Sequence, residues 1–142
     1  MDKPIPSDVE WVTQRNGWSL QAAFAALSAV VTRDVEHRNA ALAPNERKFR
    51  IEANEIACIV SRARGFGPGR YMRFDVVESA YCVSVRGGLE TQPYKVDFRA
   101  EPVISPAGER MFRVSRGDGL LYAWQVSRQA LEDELLFRRA TR

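Results

Sequence analysis

A stretch near the middle of the chain contains the side chains best suited to binding a charged ligand. Residues 62–73 read RARGFGPGRYMR, with four arginines, two aromatic residues and no acid. Arginine pairs well with phosphate groups and aromatic rings stack on bases, so this composition suits contact with nucleic acid. The predicted binding residues within this loop, at residues 62–74, are Arg62, Arg64, Phe66, Arg70, Tyr71 and Arg73.

Two other interpretations of the loop depend on its glycines. A phosphate-binding glycine loop follows a strand and opens a helix. Here residues 65–69 lead into a strand-like run, and no Lys-Ser or Lys-Thr pair follows them. The nucleotide-loop interpretation therefore fails on context. The other alternative is a solvated turn ahead of a strand, with Phe66 or Tyr71 packed into the core.

Side chains that serve as nucleophiles, bases or metal ligands are few and scattered. His37 is the single histidine, and Cys58 and Cys82 lie in apolar surroundings typical of buried thiols. One histidine and two separated cysteines do not give the spacing of a zinc site. No serine stands in a Gly-x-Ser-x-Gly elbow. We therefore predict no catalytic residue, no metal and no cofactor, with an enzyme that uses a distributed site as a further alternative.

Length and composition are those of one ordinary globular domain, predicted over residues 1–142. The hydrophobic share is 45% and the charged share is 27%, both near globular averages. The net charge of +3 comes from 21 basic and 18 acidic residues, and arginine supplies most of the basic ones. This excess permits nucleic-acid contact without requiring it.

Two further features concern location. The N-terminus lacks the basic region and apolar run of a secretory signal. No window approaches the roughly 18 consecutive apolar residues of a membrane-spanning helix. The sequence therefore predicts a cytoplasmic protein with no membrane partner.

Helical spacing is clearest early in the chain. Apolar residues recur from Leu20 to Val35 at the intervals of an amphipathic helix, and Ser19 before them is a suitable N-cap. The pattern predicts a helix over residues 20–38, preceded by an arm over residues 1–17. Residues 48–63 fit either a helix or alternating strands. Their length and their Ala and Glu content favour a second helix, which we predict there.

After the glycine-rich loop the apolar spacing changes to two. Glycine and proline turns divide residues 70–126 into about five strands, which predicts an antiparallel meander. Ser127 resembles another N-cap, and the last helix is predicted over residues 128–139. Elements that do not alternate along the chain indicate an α+β fold with helices on one face of the sheet.

The sequence contains clear helix and strand patterns but no catalytic constellation. This combination favours a non-enzymatic module that binds another protein or a second copy of itself. An uncovered edge strand would supply such an interface. Its apolar residues would be Val96 and Phe98, or Phe112 and Val114, unless these pack against the helices as the inner face of the sheet. The alternative function is nucleic-acid binding through the loop at residues 62–74, extended by three C-terminal arginines: Arg138, Arg139 and Arg142.

Overall fold

The N-terminal helix forms where its apolar spacing predicts. The computed structural model describes residues 17–62, 69–89, 91–117 and 119–131, with the backbone alone for residues 92–95. Helix α1 (Leu20–Ala41) begins after Ser19, whose hydroxyl accepts a hydrogen bond from the Ala22 amide at 3.1 Å. Its buried stripe consists of Leu20, Ala23, Phe24, Leu27, Val31 and Val35. The predicted arm, apart from Gly17, lies outside the described residues.

Seven strands follow α1 and form one antiparallel sheet, in which every strand pairs with its neighbours in sequence. Their bounds are β1 (Arg50–Ala53), β2 (Ala57–Arg62), β3 (Arg70–Val77), β4 (Cys82–Leu89), β5 (Gln92–Ile104), β6 (Arg110–Val114) and β7 (Leu120–Leu121). Helix α2 (Ala123–Leu131) follows β7. The predicted α+β class is confirmed, but the described part of the chain contributes seven strands to the sheet instead of about five. The described residues contain two α-helices instead of the three predicted.

The prediction of a helix over residues 48–63 is wrong, because residues 50–62 form the β1–β2 hairpin. Asn54 closes its turn, since the side-chain oxygen accepts hydrogen bonds from the amides of Ile56 and Ala57 at 2.9 Å each. Strand β2 then pairs with β3 over its whole length. That strand partner lies beyond the glycine-rich loop, so the local pattern of residues 48–63 gives no sign of it.

The start of the last helix also differs from the prediction. Strand β7 ends at Leu121, and α2 has already begun at Ala123. Ser127 is not an N-cap but is fully buried within α2, where its hydroxyl donates to Asp34 of α1 at 2.7 Å. At the true helix start, the Gln125 side chain accepts a hydrogen bond from the Tyr122 amide at 2.8 Å. The remainder of the predicted helix, residues 132–139, lies outside the described residues.

The core lies between one face of the sheet and the two helices. The largest buried side chains come from both layers and include Phe24, Phe74, Phe98 and Phe112. Val96, Phe98, Phe112 and Val114 all belong to this core. The interpretation of these four residues as the inner face of the sheet is therefore confirmed, and they are not available as an exposed interface.

The opposite face of the sheet carries charged side chains and is called the outer face below. Arg73 and Asp75 of β3 lie on it, and so do Arg86 of β4 and Asp97 of β5. The Arg73 Nε lies 2.7 Å from an Asp75 oxygen, and the Arg86 Nε lies 3.4 Å from an Asp97 oxygen. The mixture of signs gives this face no single charge.

Candidate functional site

The predicted arginine–aromatic site is divided by the sheet. Arg62 and Arg70 are partners in the β2–β3 register, and they share a face with buried Val60 and Met72. The Arg62 guanidinium carbon lies 5.1 Å from the centroid of the Phe49 ring. Burial, together with the positive charge of Arg62, lowers the pKa of Arg70. These two arginines therefore lie on the helix-covered side of the sheet.

Tyr71 and Arg73 lie on the outer face, because neighbouring residues of a strand point to opposite sides. The Arg73 Nε donates to both oxygens of Asp75, at 2.9 and 2.7 Å. Tyr71 is half-buried on this face and does not enter the core between sheet and helices. Arg64 and Phe66 lie outside the described residues. The four described residues thus form two pairs on opposite faces, and nucleic-acid binding through them stays a prediction.

The β1 edge of the sheet has an unusual end. The Phe49 amide donates to the side-chain oxygen of Asn39 at 2.7 Å, and the Asn39 side-chain amide donates to the Phe49 carbonyl at 2.9 Å. The side chain of Asn39 thus supplies the two hydrogen bonds that a neighbouring strand would supply. We call this pair of bonds the Asn39 clamp.

Backbone directions along β1 follow from the hairpin register. The Asn54 amide donates to the Ala57 carbonyl at 2.9 Å, so these residues bond across the hairpin. Because bonded and non-bonded pairs alternate, Glu52 and Arg50 also direct their backbone groups towards β2. Ile51 and Ala53 direct theirs away from it. Within the described residues no strand pairs with β1 on that side. The outward backbone N–H and C=O groups of Ile51 and Ala53 are called the open edge.

The other edge of the sheet is much shorter. Strand β7 has two residues, Leu120 and Leu121, and α2 begins at Ala123. Very short edge strands are a common protection against pairing with another chain. The sheet therefore has one edge that is long enough to accept a further strand and one that is not.

A cleft of about 430 Å³ lies between the two helices, and sequence reasoning missed it. Helix α1 lines it with Arg33, Asp34, His37, Arg38 and Ala41, and helix α2 lines it with Trp124, Arg128 and Leu131. The α2 residues recur at intervals of four and three, which is a helical signal, but the predicted strands extend to residue 126 and so include Trp124. His37 is exposed and lines this cleft.

Neither thiol contributes to the cleft. Cys58 is on the inner face and Cys82 is on the outer face, because Cys58 pairs with buried Phe74 and Cys82 pairs with Val77. Both are free and buried, as their apolar surroundings predict. Burial is the main cause that raises the pKa of each thiol, so both favour the uncharged form.

No cluster of three or more His, Cys, Asp or Glu side chains suited to a metal ion occurs in the described part of the chain. None of its helices is long and apolar enough to cross a membrane.

No protein-family profile, curated protein or solved structure matches the chain.

Proposed function

We propose that the protein is a self-associating interaction module in which two copies pair through their β1 strands. The observation that carries this proposal is the open edge, where Ile51 and Ala53 direct their backbone N–H and C=O groups away from β2. Uncovered edges of this kind accept a strand from another chain. The opposite edge is too short to compete.

The Asn39 clamp restricts the register of such a pair. It occupies the outward backbone groups of Phe49, so an incoming strand can bond only to Ile51 and Ala53. In an antiparallel two-fold pair, Ile51 of each copy then lies opposite Ala53 of the other. Each of the two positions exchanges a pair of hydrogen bonds. Residues beyond Ala53 turn away into the β1–β2 hairpin and do not reach the clamp.

The charges on β1 fit this register. Glu52 of one copy lies opposite Glu52 of the second copy, which alone would be repulsive. Arg50 is close enough to compensate, since its Nη2 lies 4.0 Å from Glu52 Oε1 within one copy. A long side chain at the diagonal position also reaches the facing strand. The four groups together carry two positive and two negative charges, so the pair is electrically balanced.

Self-association through this edge is expected to be weak and reversible. A strand of four residues buries far less surface than the roughly 1,600 Å² of a standard interface. Its specificity comes from the backbone bonds and the charge quartet. Both charged side chains are highly exposed in the single chain, at 77% for Arg50 and 75% for Glu52. Substitutions there should leave the fold intact.

Charge reversal tests the proposal directly. Arg50→Glu gives four carboxylates at the paired edge and Glu52→Arg gives four guanidinium groups, so each variant alone should remain monomeric in sedimentation velocity. An equimolar mixture of the two restores two charges of each sign and should associate at least as well as the original protein. Arg86→Glu on the outer face is the matched control and should leave association unchanged.

Two outcomes contradict the proposal. The first is a monomeric sedimentation profile for the original protein at every concentration tested. The second is association that persists in both single variants, because the contact would then lie elsewhere on the molecule. Circular dichroism spectra that coincide for all variants will show that the fold is the same.

A further inference from the structure

An exposed apolar side chain lies beside one end of β1, in the turn of the β1–β2 hairpin. Ile56 is 63% exposed there, the largest exposed fraction among the large apolar side chains of the described residues. Its carbonyl accepts a hydrogen bond from the Val76 amide at 2.9 Å, so Ile56 continues the register of β2 with β3. It lies two residues before buried Cys58 and therefore on the inner side of the sheet.

A second exposed apolar feature lies beside the other end of β1, where the chain leaves α1. Ala43 and Pro44 are both exposed, and we call their two side chains the α1 exit. The Leu42 amide donates to the Asn39 carbonyl at 3.2 Å, so the α1 exit begins next to the Asn39 clamp. The Ala43 amide donates to Glu46 Oε1 at 3.1 Å, and the Glu46 amide donates back to the Ala43 carbonyl at 2.9 Å. These bonds fix the position of the α1 exit.

The Asn39 clamp brings the end of α1 to the open side of β1. Asn39 bonds to the outward N–H and C=O groups of Phe49, at 2.7 and 2.9 Å. Adjacent strands lie only about 4.8 Å apart, so the end of α1 lies where a chain that pairs with the open edge would pass. The α1 exit can therefore contact a second copy, whereas the hairpin turn of its own copy is at the opposite end of β1.

The register of the proposed pair brings these two features together. Ile51 lies opposite Ala53 of the second copy, and continuing this register by two residues places Glu55 level with Phe49 of the second copy. Opposite residues of an antiparallel pair point to the same face, so the helices of both copies lie on one side of the joined sheet. The hairpin turn of each copy thus meets the α1 exit of the other. In a two-fold pair such a contact occurs twice.

We propose that Ile56 of each copy packs against Ala43 and Pro44 of the other. This inference rests on the self-association proposed above, and it gives the pair two apolar contacts in addition to the joined edges. Alanine and proline side chains lose little conformational entropy when they are buried. The contacts remove apolar surface from water at both ends of the paired strands, so association depends on apolar burial as well as on charge.

Truncation of Ile56 tests the contact. Ile56→Ala should weaken self-association about thirty-fold in sedimentation velocity, because the symmetrical pair loses two partly buried apolar contacts. The loss should persist in about 1 M NaCl, which screens the charges of Arg50 and Glu52 but does not weaken apolar burial. Trp124→Ala is the matched control, since it removes another exposed apolar side chain, on α2, and should leave association unchanged.

Cysteine cross-linking locates the contact. An equimolar mixture of Ile56→Cys and Ala43→Cys should form a disulfide-linked heterodimer on oxidation by copper phenanthroline, since a disulfide requires Cα atoms within about 7 Å. Each variant alone should not cross-link, because the two-fold axis keeps equivalent positions apart. Cys58 and Cys82 are free but buried. Arg113→Cys, at an exposed position on the outer face of β6, is mixed with Ala43→Cys as the control.

Two results would overturn the inference while the proposed function stands. The first is a pair that responds to the β1 charge reversals but shows neither a loss in Ile56→Ala nor a cross-link between positions 43 and 56. The second is a cross-link that forms equally well with the Arg113→Cys control, because the contact would then be non-specific. A monomeric original protein would contradict both proposals.

Discussion

Strands β3 and β4 at the centre of the sheet pair over eight positions, whereas β1 at its edge pairs with β2 over four. At the centre, Phe74 and Val85 face each other in the buried layer, and Gly87 approaches the β3 backbone closely. At the edge, three of the four β1 residues are exposed and only Ile51 packs against the core. On the side of the edge that faces away from β2, the backbone groups of Phe49 are hydrogen-bonded to the side chain of Asn39.

This difference shows which property of a residue matters in each region. At the centre, the volume of a side chain decides whether a substitution is tolerated, because there is no free space. At the edge, the direction of a backbone N–H group decides whether another chain can pair. Substitutions that change only the volume of a side chain, or only the presence of a backbone N–H group, therefore test the comparison.

The largest effect is expected for Gly87→Ala. An added Cβ would collide with the Tyr71 carbonyl oxygen and would lie 2.9 Å from the Met72 Cα. Backbone atoms of a central strand cannot move away cheaply, so we expect a loss of about 3 kcal/mol in the free energy of unfolding. Urea denaturation measures it. Arg86→Ala, the exposed neighbour, should change stability by less than about 1 kcal/mol, and a similar value for Gly87→Ala would contradict the prediction.

An intermediate effect is expected for Asn39→Ala. The substitution removes both hydrogen bonds of the Asn39 clamp, which should cost about 2 kcal/mol of stability. It also leaves the outward backbone groups of Phe49 available, so the open edge becomes longer and self-association should increase. Urea denaturation and sedimentation velocity measure the two effects. The control is Asn45→Ala, at an exposed position after the same helix, which should change neither.

The smallest effect on stability is expected for Ala53→Pro. The Ala53 N–H points away from β2, so its loss leaves the hairpin bonds intact, and edge strands tolerate proline at such positions. Stability should change by less than about 1 kcal/mol, while self-association should be lost. In Glu52→Pro the missing N–H faces β2 instead, and stability should fall by more. If the two proline variants were equally stable, the assigned backbone directions would be wrong.

The sequence predicts well those features that depend on neighbouring residues. Helix α1 follows from the spacing of its apolar stripe and from Ser19, both of which are local. The inner face of β5 and β6 likewise follows from alternation, as Phe98 and Phe112 show. The α+β class could therefore be predicted before any coordinates were known.

Features that depend on distant partners could not be predicted in this way. Residues 48–63 satisfy helical and strand spacing equally well, and only pairing with β3 selects the hairpin. Ser127 has the residue type of an N-cap, yet its hydroxyl bonds to Asp34, 93 positions earlier in the chain. The Asn39 clamp requires α1 and β1 to be adjacent, which no local pattern indicates.

The division of the candidate site between two faces follows from the predicted strand itself. Arg70 and Tyr71 are consecutive, and the sequence already predicted a strand there. Consecutive strand residues point to opposite faces, so these two could not contribute to the same surface. The cleft was missed for a different reason, since Trp124 and Arg128 were assigned to different elements.

The strand order β1 to β7 has a consequence for how the chain folds. Every strand after β1 pairs with the one made just before it, so each hairpin can close as soon as its second half leaves the ribosome, and such local contacts are quick to form. The hydrogen bond between Ser127 and Asp34 is different, because it joins the last described helix to the first. The two-helix layer is therefore completed only after β7 has been made, when the other strands of the sheet are already present to receive it.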